Sequence, residues 1–127
     1  MLKNFPEQNT VLQSLQNSEF TFYLTGSIYF QGAGNDLDFF VEYSQTNLNY
    51  FLESLGFQSI SNPKYGDSET VNVYRYFYSF YQIDIQVVKN ATCKQKIQEV
   101  FKSVNILSPT REQWELGYSL YKAMNPK

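Results

Sequence analysis

A chain of 127 residues with 43% hydrophobic and 18% aromatic residues is not disordered, and it can bury a core without disulfides or a structural metal. A formal net charge of -2 and a pI near 5.0 argue against wrapping duplex nucleic acid by bulk electrostatics. There is no histidine and one cysteine, Cys93, which excludes Ser-His-Asp or Cys-His catalysis, a His-based zinc or haem site, a structural zinc site and an internal disulfide. An enzyme of this composition works with carboxylates, lysine, tyrosine or a hard metal ion held by oxygen. No apolar run approaches the roughly 20 residues of a membrane span. The segment Met1–Pro6 lacks the apolar stretch of a signal peptide. One cytoplasmic domain over residues 1–127, with no membrane partner, is expected. The sequon Asn90-Ala91-Thr92 would matter only in a secreted chain.

In chain order, Glu7 to Asn17 follows Pro6 and carries Val11, Leu12 and Leu15, which predicts a short helix. Phe20–Thr25 is aromatic and β-branched and runs into Gly26-Ser27, a strand ending in a tight turn. After a second break at Gly32–Asn35, Asp36–Tyr43 reads as another strand. Leu48, Phe51, Leu52 and Leu55 share one helical face, with Gly56 just past its end. The stretch Ser59–Asp67 is loop-like. Val71–Phe80 and Tyr81–Val88 are strand-like, and Cys93, Ile97, Val100, Phe101 and Val104 mark another helical face. Ser108-Pro109 is expected to start the last helix, at about 109–123, with Ser108 as cap. The order α, β, β, α, β, β, α, α implies an α/β (α+β) fold with one small mixed sheet flanked by helices.

Three of the four aspartates sit among apolar strand residues: Asp36 and Asp38 around Leu37, and Asp84 between Ile83 and Ile85. Residues at i and i+2 of a strand project to one face, so Asp36 and Asp38 point together. Two carboxylates so placed repel, and a divalent ion between them removes the conflict. Asp36 alone reads equally as a turn residue after Gly34-Asn35, and each aspartate alone could be a satisfied structural one. The three together favour a metal site, because Asp is disfavoured in strands and costly to bury unpaired. Gly26-Ser27 after a strand suits a phosphate cradle, or an ordinary turn if nothing else converges on it.

Thr25-Gly26-Ser27, eight residues, Asp36-Leu37-Asp38-Phe39-Phe40 and later Ile83-Asp84-Ile85 together resemble the nucleotidyltransferase superfamily related to DNA polymerase beta. Its pattern is a Gly-Ser pair after the first strand, an Asp-x-Asp on the second and a third acid on a later strand. The resemblance covers roughly residues 5 to 104. It implies that Gly26 and Ser27 contact the phosphates of a nucleoside triphosphate such as ATP. It further implies that Asp36 and Asp38 hold Mg2+ (or Mn2+), and that Asp84 shares an ion and helps deprotonate an acceptor hydroxyl. The acceptor would be a protein, a nucleic acid or a small molecule. The pattern departs from the family after Gly26-Ser27, where Ile28–Gln31 supplies no cation. Lys94 and Lys102, flanking Gln98, are candidates to replace it, with Lys94 the expected nucleotide-binding residue. Arg75 and Lys89 come next, and a solvated helix face is the plain alternative for each lysine.

The remaining signals are less directed. Tyr74, Tyr76, Tyr78, Phe80 and Tyr81 suit cross-strand packing better than base stacking. Cys93 reads as a small core residue. The last helix is apolar around more than half its circumference, through Trp114, Leu116, Tyr118, Leu120, Tyr121 and Met124. Deep burial or a homodimer or partner contact would each explain that. The expected activity is metal-dependent transfer of a nucleoside monophosphate to a hydroxyl. The alternative is a protein of the same fold acting as an inhibitor or antitoxin-like binding partner.

Overall fold

The structure, a computed structural model, describes residues 8–44, 47–60, 67–78 and 81–126. Its elements run α1 (Gln8–Gln16), β1 (Tyr23–Thr25), α2 (Gly26–Gln31), β2 (Leu37–Glu42), α3 (Leu48–Ser54), β3 (Gln58–Ile60), β4 (Thr70–Tyr78), β5 (Tyr81–Val88), α4 (Ala91–Ser103) and α5 (Arg111–Met124). The strands form one mixed sheet in the order β1-β2-β5-β4-β3. β2 and β5 are parallel and the other pairs antiparallel. The expected α+β class with a small mixed sheet is what the chain adopts.

Strand alternation sorts the two faces. Leu37 and Val41 of β2, with Ile83, Ile85 and Val87 of β5, pack on Val11, Leu12 and Leu15 of α1 and Leu48 and Leu52 of α3. Asp38, Phe40, Asp84, Gln86 and Val88 take the opposite face. There Phe40 and Val88 pack on Ala91 at the start of α4. Behind α4 a second core joins Cys93, Ile97 and Phe101 to Phe30 of α2 and Tyr118 of α5. Cys93 is a buried core residue, as its helical position predicts. Asn90, the first residue of the sequon, caps α4 by accepting from the Cys93 amide at 2.9 Å.

Two elements exceed the sequence reading. The residues after Gly26 form α2 with Ile28 and Phe30 buried, and three residues at Gln58–Ile60 pair with β4. Both are shorter than the periodicity needed to reveal them. The last helix begins later than expected: its cap is Thr110, not Ser108, and Pro109 precedes the helix. Thr110 and Gln113 complete a reciprocal capping box, which satisfies two terminal amides where a Ser108 cap would satisfy one. Tyr74 is core and Tyr76 packs against it, whereas Phe80 and the Tyr78 and Tyr81 side chains lie outside the described residues. Deep burial does not account for the last helix. Leu116, Leu120 and Met124 are 61%, 56% and 79% exposed, and Tyr118 is its one buried residue. No helix among the described residues is long and apolar enough to cross a membrane.

A buried polar knot binds α4, α5 and the entry to β4. Lys94 Nζ donates to Asp67 Oδ2 at 3.0 Å and to Gln86 Oε1 at 2.9 Å. Tyr118 donates to the same Asp67 oxygen at 2.9 Å, and Asp67 Oδ1 accepts from the Glu69 amide and the Thr70 hydroxyl. Truncating one member of such a pair strands a buried charge. Asp67→Ala is expected to cost about 3–5 kcal/mol in urea denaturation. The double variant Asp67→Leu with Lys94→Met, which removes both charges, should regain most of that loss.

Candidate active site

One row of register partners crosses the sheet from Thr25 to Asp38, Asp84 and Arg75. Opposed residues on neighbouring strands share a face, so Asp38 and Asp84 project side by side. Asp36 lies just before β2 and is close enough for its charge to act on Asp38. Burial, then the charges of Asp84 and Asp36, push the Asp38 carboxyl up from 3.8 to about 7, with Arg75 pulling the other way.

The β1–α2 turn wraps against this acid. Gly26 has φ 73°, in the left-handed region, and a Cβ there would overlap Asp38 Oδ2. Glycine is required for both reasons. Thr25 precedes α2 without capping it through its side chain, because its hydroxyl donates to Gln98 Oε1 at 2.8 Å. Gln98 Nε2 in turn donates to the Leu24 carbonyl at 2.9 Å, fixing α4 to β1. Ser27 is exposed, and a Cβ on Gly34 would overlap its hydroxyl, so the Gly32–Asn35 loop lies directly against it.

Asp84 is 5% exposed and committed to Arg75. Arg75 Nε meets Asp84 Oδ1 at 2.7 Å and Nη2 meets Oδ2 at 3.0 Å, a forked, charge-assisted pair. Gln82 Nε2 adds a longer donation to Oδ2 at 3.4 Å. No cluster of three acid, cysteine or histidine side chains is arranged to hold a metal among the described residues.

Gly26, Ser27 and Asp38 line a cleft of about 370 Å³ that Lys94, Arg111 and Trp114 also line. Asp36 and Asp84 are not among its lining residues. Lys94 forms part of the floor at 2% exposure, its ammonium 4.7 Å from the Trp114 ring centre and 5.5 Å from that of Phe40. Burial holds that ammonium below the ordinary lysine range, although Asp67 opposes the shift. Lys102 sits over the Tyr29 ring at 4.6 Å, and neither it nor Lys89 lines the cleft. Sequence reasoning missed Asp67, Arg111 and Trp114 as members of this region. Arg111 carries one usable signal: a cation in the first turn of a helix opposes the macrodipole, so it is not there for helix stability.

The pKa of Asp38 sets a pH dependence. The folded state keeps a proton that the unfolded chain releases, so stability falls as pH rises from 3.8 to about 7. Asp38→Asn is expected to raise the melting temperature by several degrees at pH 8 and to change it little at pH 4, read by scanning calorimetry. Gly26→Ala should destabilise by about 1–3 kcal/mol at either pH, through left-handed strain and the collision with Asp38.

Comparison of the chain with protein-family models, with curated proteins and with solved structures finds no match.

Proposed function

We propose that the protein transfers a nucleoside monophosphate from a nucleoside triphosphate to a hydroxyl acceptor, with a divalent cation. The observation that carries this reading is the pairing of Asp38 with Asp84 across parallel strands, directly beneath the left-handed Gly26 turn. Asp38 lies against the Gly26 turn and, with Ser27, lines the same cleft, an arrangement that suits a ligand carrying both phosphate and metal.

The donor set fits a hard dication in part. Asp36 and Asp38 are oxygen donors whose mutual repulsion a dication offsets, and Mg2+ is often bound by one or two carboxylates plus substrate phosphates. Asp84 joins such a set only as far as Arg75 shares it. When bound, the ion would polarise the phosphoryl oxygens and neutralise developing charge. The chain's own residues do the remainder. Gly26 lets phosphate oxygens approach the backbone, and Ser27 donates to them. Asp38, the acid of the pair that lines the cleft, accepts the acceptor's proton. The acceptor oxygen bonds to the α-phosphorus, the bond from that phosphorus to the bridging oxygen breaks, and pyrophosphate leaves with the electron pair.

A second reading is supported by the Arg75 fork, which already supplies Asp84 with a cation from within the protein. On that reading the chain binds a partner through the exposed face of α5 and does not catalyse.

A nucleotide that binds only the folded state raises its melting temperature by mass action. Triphosphate with Mg2+ is expected to give a larger thermal shift than either alone, lost in Asp36→Ala and weakened in Ser27→Ala. Labelled triphosphate incubated with protein, Mg2+ and cell lysate should leave label on an acceptor, and Asp38→Asn should abolish that transfer. Absence of both the metal-dependent shift and the label would leave the binding-protein reading in its place.

A further inference from the structure

We infer that Arg111 binds the polyphosphate end of the nucleotide, supplying the cation that the segment after Gly26-Ser27 lacks. The inference rests on the reading of the cleft as a nucleotide site. A polyphosphate chain needs a cation in reach, and among the described residues Lys94, Arg75, Lys89 and Lys102 are spoken for or lie elsewhere. Lys94 is sunk in the cleft floor with its charge offset by Asp67 at 3.0 Å. Arg75 is forked onto Asp84. Lys89 and Lys102 do not line the cleft.

Arg111 lines it, is exposed, and forms no ion pair among the described residues. It sits at the first position of α5, where the macrodipole disfavours a cation, so helix stability does not explain it. Its wall is fixed to the Ser27 wall: Gln31, at the end of α2, donates from Nε2 to the Leu107 carbonyl at 3.2 Å. Ser27 and Arg111 therefore border one opening, and a guanidinium fork suits phosphate oxygens better than an ammonium does. Asp38 on the same cleft accounts for the metal side of the ligand, and Arg111 for the phosphate side.

Trp114 is the one tryptophan of the chain and lines this cleft, so its fluorescence reports on the cleft directly. The probes are ATP with Mg2+ and inorganic tripolyphosphate, each titrated against Trp114 emission and checked by calorimetry. Arg111→Ala is expected to weaken both by roughly tenfold or more. Arg111→Lys should fall between, and Lys89→Ala should bind as wild type. Arg111→Gln, which keeps a polar side chain with the same first three carbons, serves as a second neutral variant should the alanine variant fold poorly. Wild-type affinity in the neutral variants, or no saturable binding of either probe to the wild type, overturns the inference. Loss of tripolyphosphate binding in Arg111→Ala, while the wild type transfers no label, sustains Arg111 and sinks the catalytic reading. Intact label transfer with unchanged affinity in Arg111→Ala does the reverse.

Discussion

The Lys94–Asp67 ion pair is the constraint on which the rest of the molecule hangs. Lys94 comes from α4, Asp67 precedes β4, Tyr118 comes from α5 and Gln86 from β5, and all four meet at one ammonium or one carboxylate. A buried pair of this kind contributes little net stability, because desolvation of two charges consumes most of the Coulomb gain. Its effect is on arrangement. An ammonium at 2% exposure tolerates only packings in which a carboxylate reaches it, and that fixes how α4 and α5 lie on the sheet. Burial also raises the Tyr118 hydroxyl far above its ordinary range, with Asp67 adding to the effect, so this phenol stays a donor to Asp67. Because α5 is fixed by the knot, so is the wall that carries Arg111 and Trp114.

The carboxylate row follows from the sheet rather than from the knot. The parallel register of β2 on β5 sets Asp38 opposite Asp84, and the antiparallel register of β4 on β5 sets Arg75 opposite Asp84. A single slip of register would move every member of the row to the opposite face, among Ile83, Ile85 and Leu37. The apolar core on that other face therefore holds the acids in place. Arg75 pairs with Asp84, whereas Asp38 has no ion-pair partner among the described residues and its carboxyl is pushed up to about 7, with the Arg75 charge only partly opposing the rise. Two adjacent acids thus differ: Asp84 is held by a forked ion pair, and the Asp38 carboxyl holds its proton up to about pH 7.

Much of this was legible in the sequence, for reasons that differ by residue. The alternation around Leu37 and Ile83 marks strands with one apolar face, and the Leu48–Leu55 spacing marks a helix; both are local patterns that packing then obeyed. That Asp38 and Asp84 share a face rests on a register between strands more than 40 residues apart, which periodicity within either strand cannot reveal. Asp67 was hidden because an aspartate beside glycine in a polar stretch looks like a turn residue. Only the long-range partner, Lys94, reveals it as core. Lys94 borders the apolar stripe on a helical wheel, and its burial is not visible there because Trp114, which covers it, comes from a separate element. Ser108-Pro109 offers the more familiar start signal, but Thr110 with Gln113 three residues on completes a capping box and sets the start of α5.

A balance of charge across the cleft connects these parts. Asp67 cancels Lys94 and Arg75 cancels Asp84, each at hydrogen-bonding distance. Among the described residues, what remains around the cleft is Asp38, with Asp36 nearby, toward the Gly26 turn, and Arg111 on the wall beyond Gln31. The cleft is therefore dipolar although its residual charges nearly offset one another. A purely anionic ligand is repelled at the Asp38 end, and a purely cationic one at the Arg111 end. A ligand with a cation on one part and phosphate oxygens on another meets attraction at both, because each of its ends faces the opposite sign. On the proposed function, that polarity would favour binding of the cation and the phosphate chain together, with affinity for either component alone weaker than for their complex.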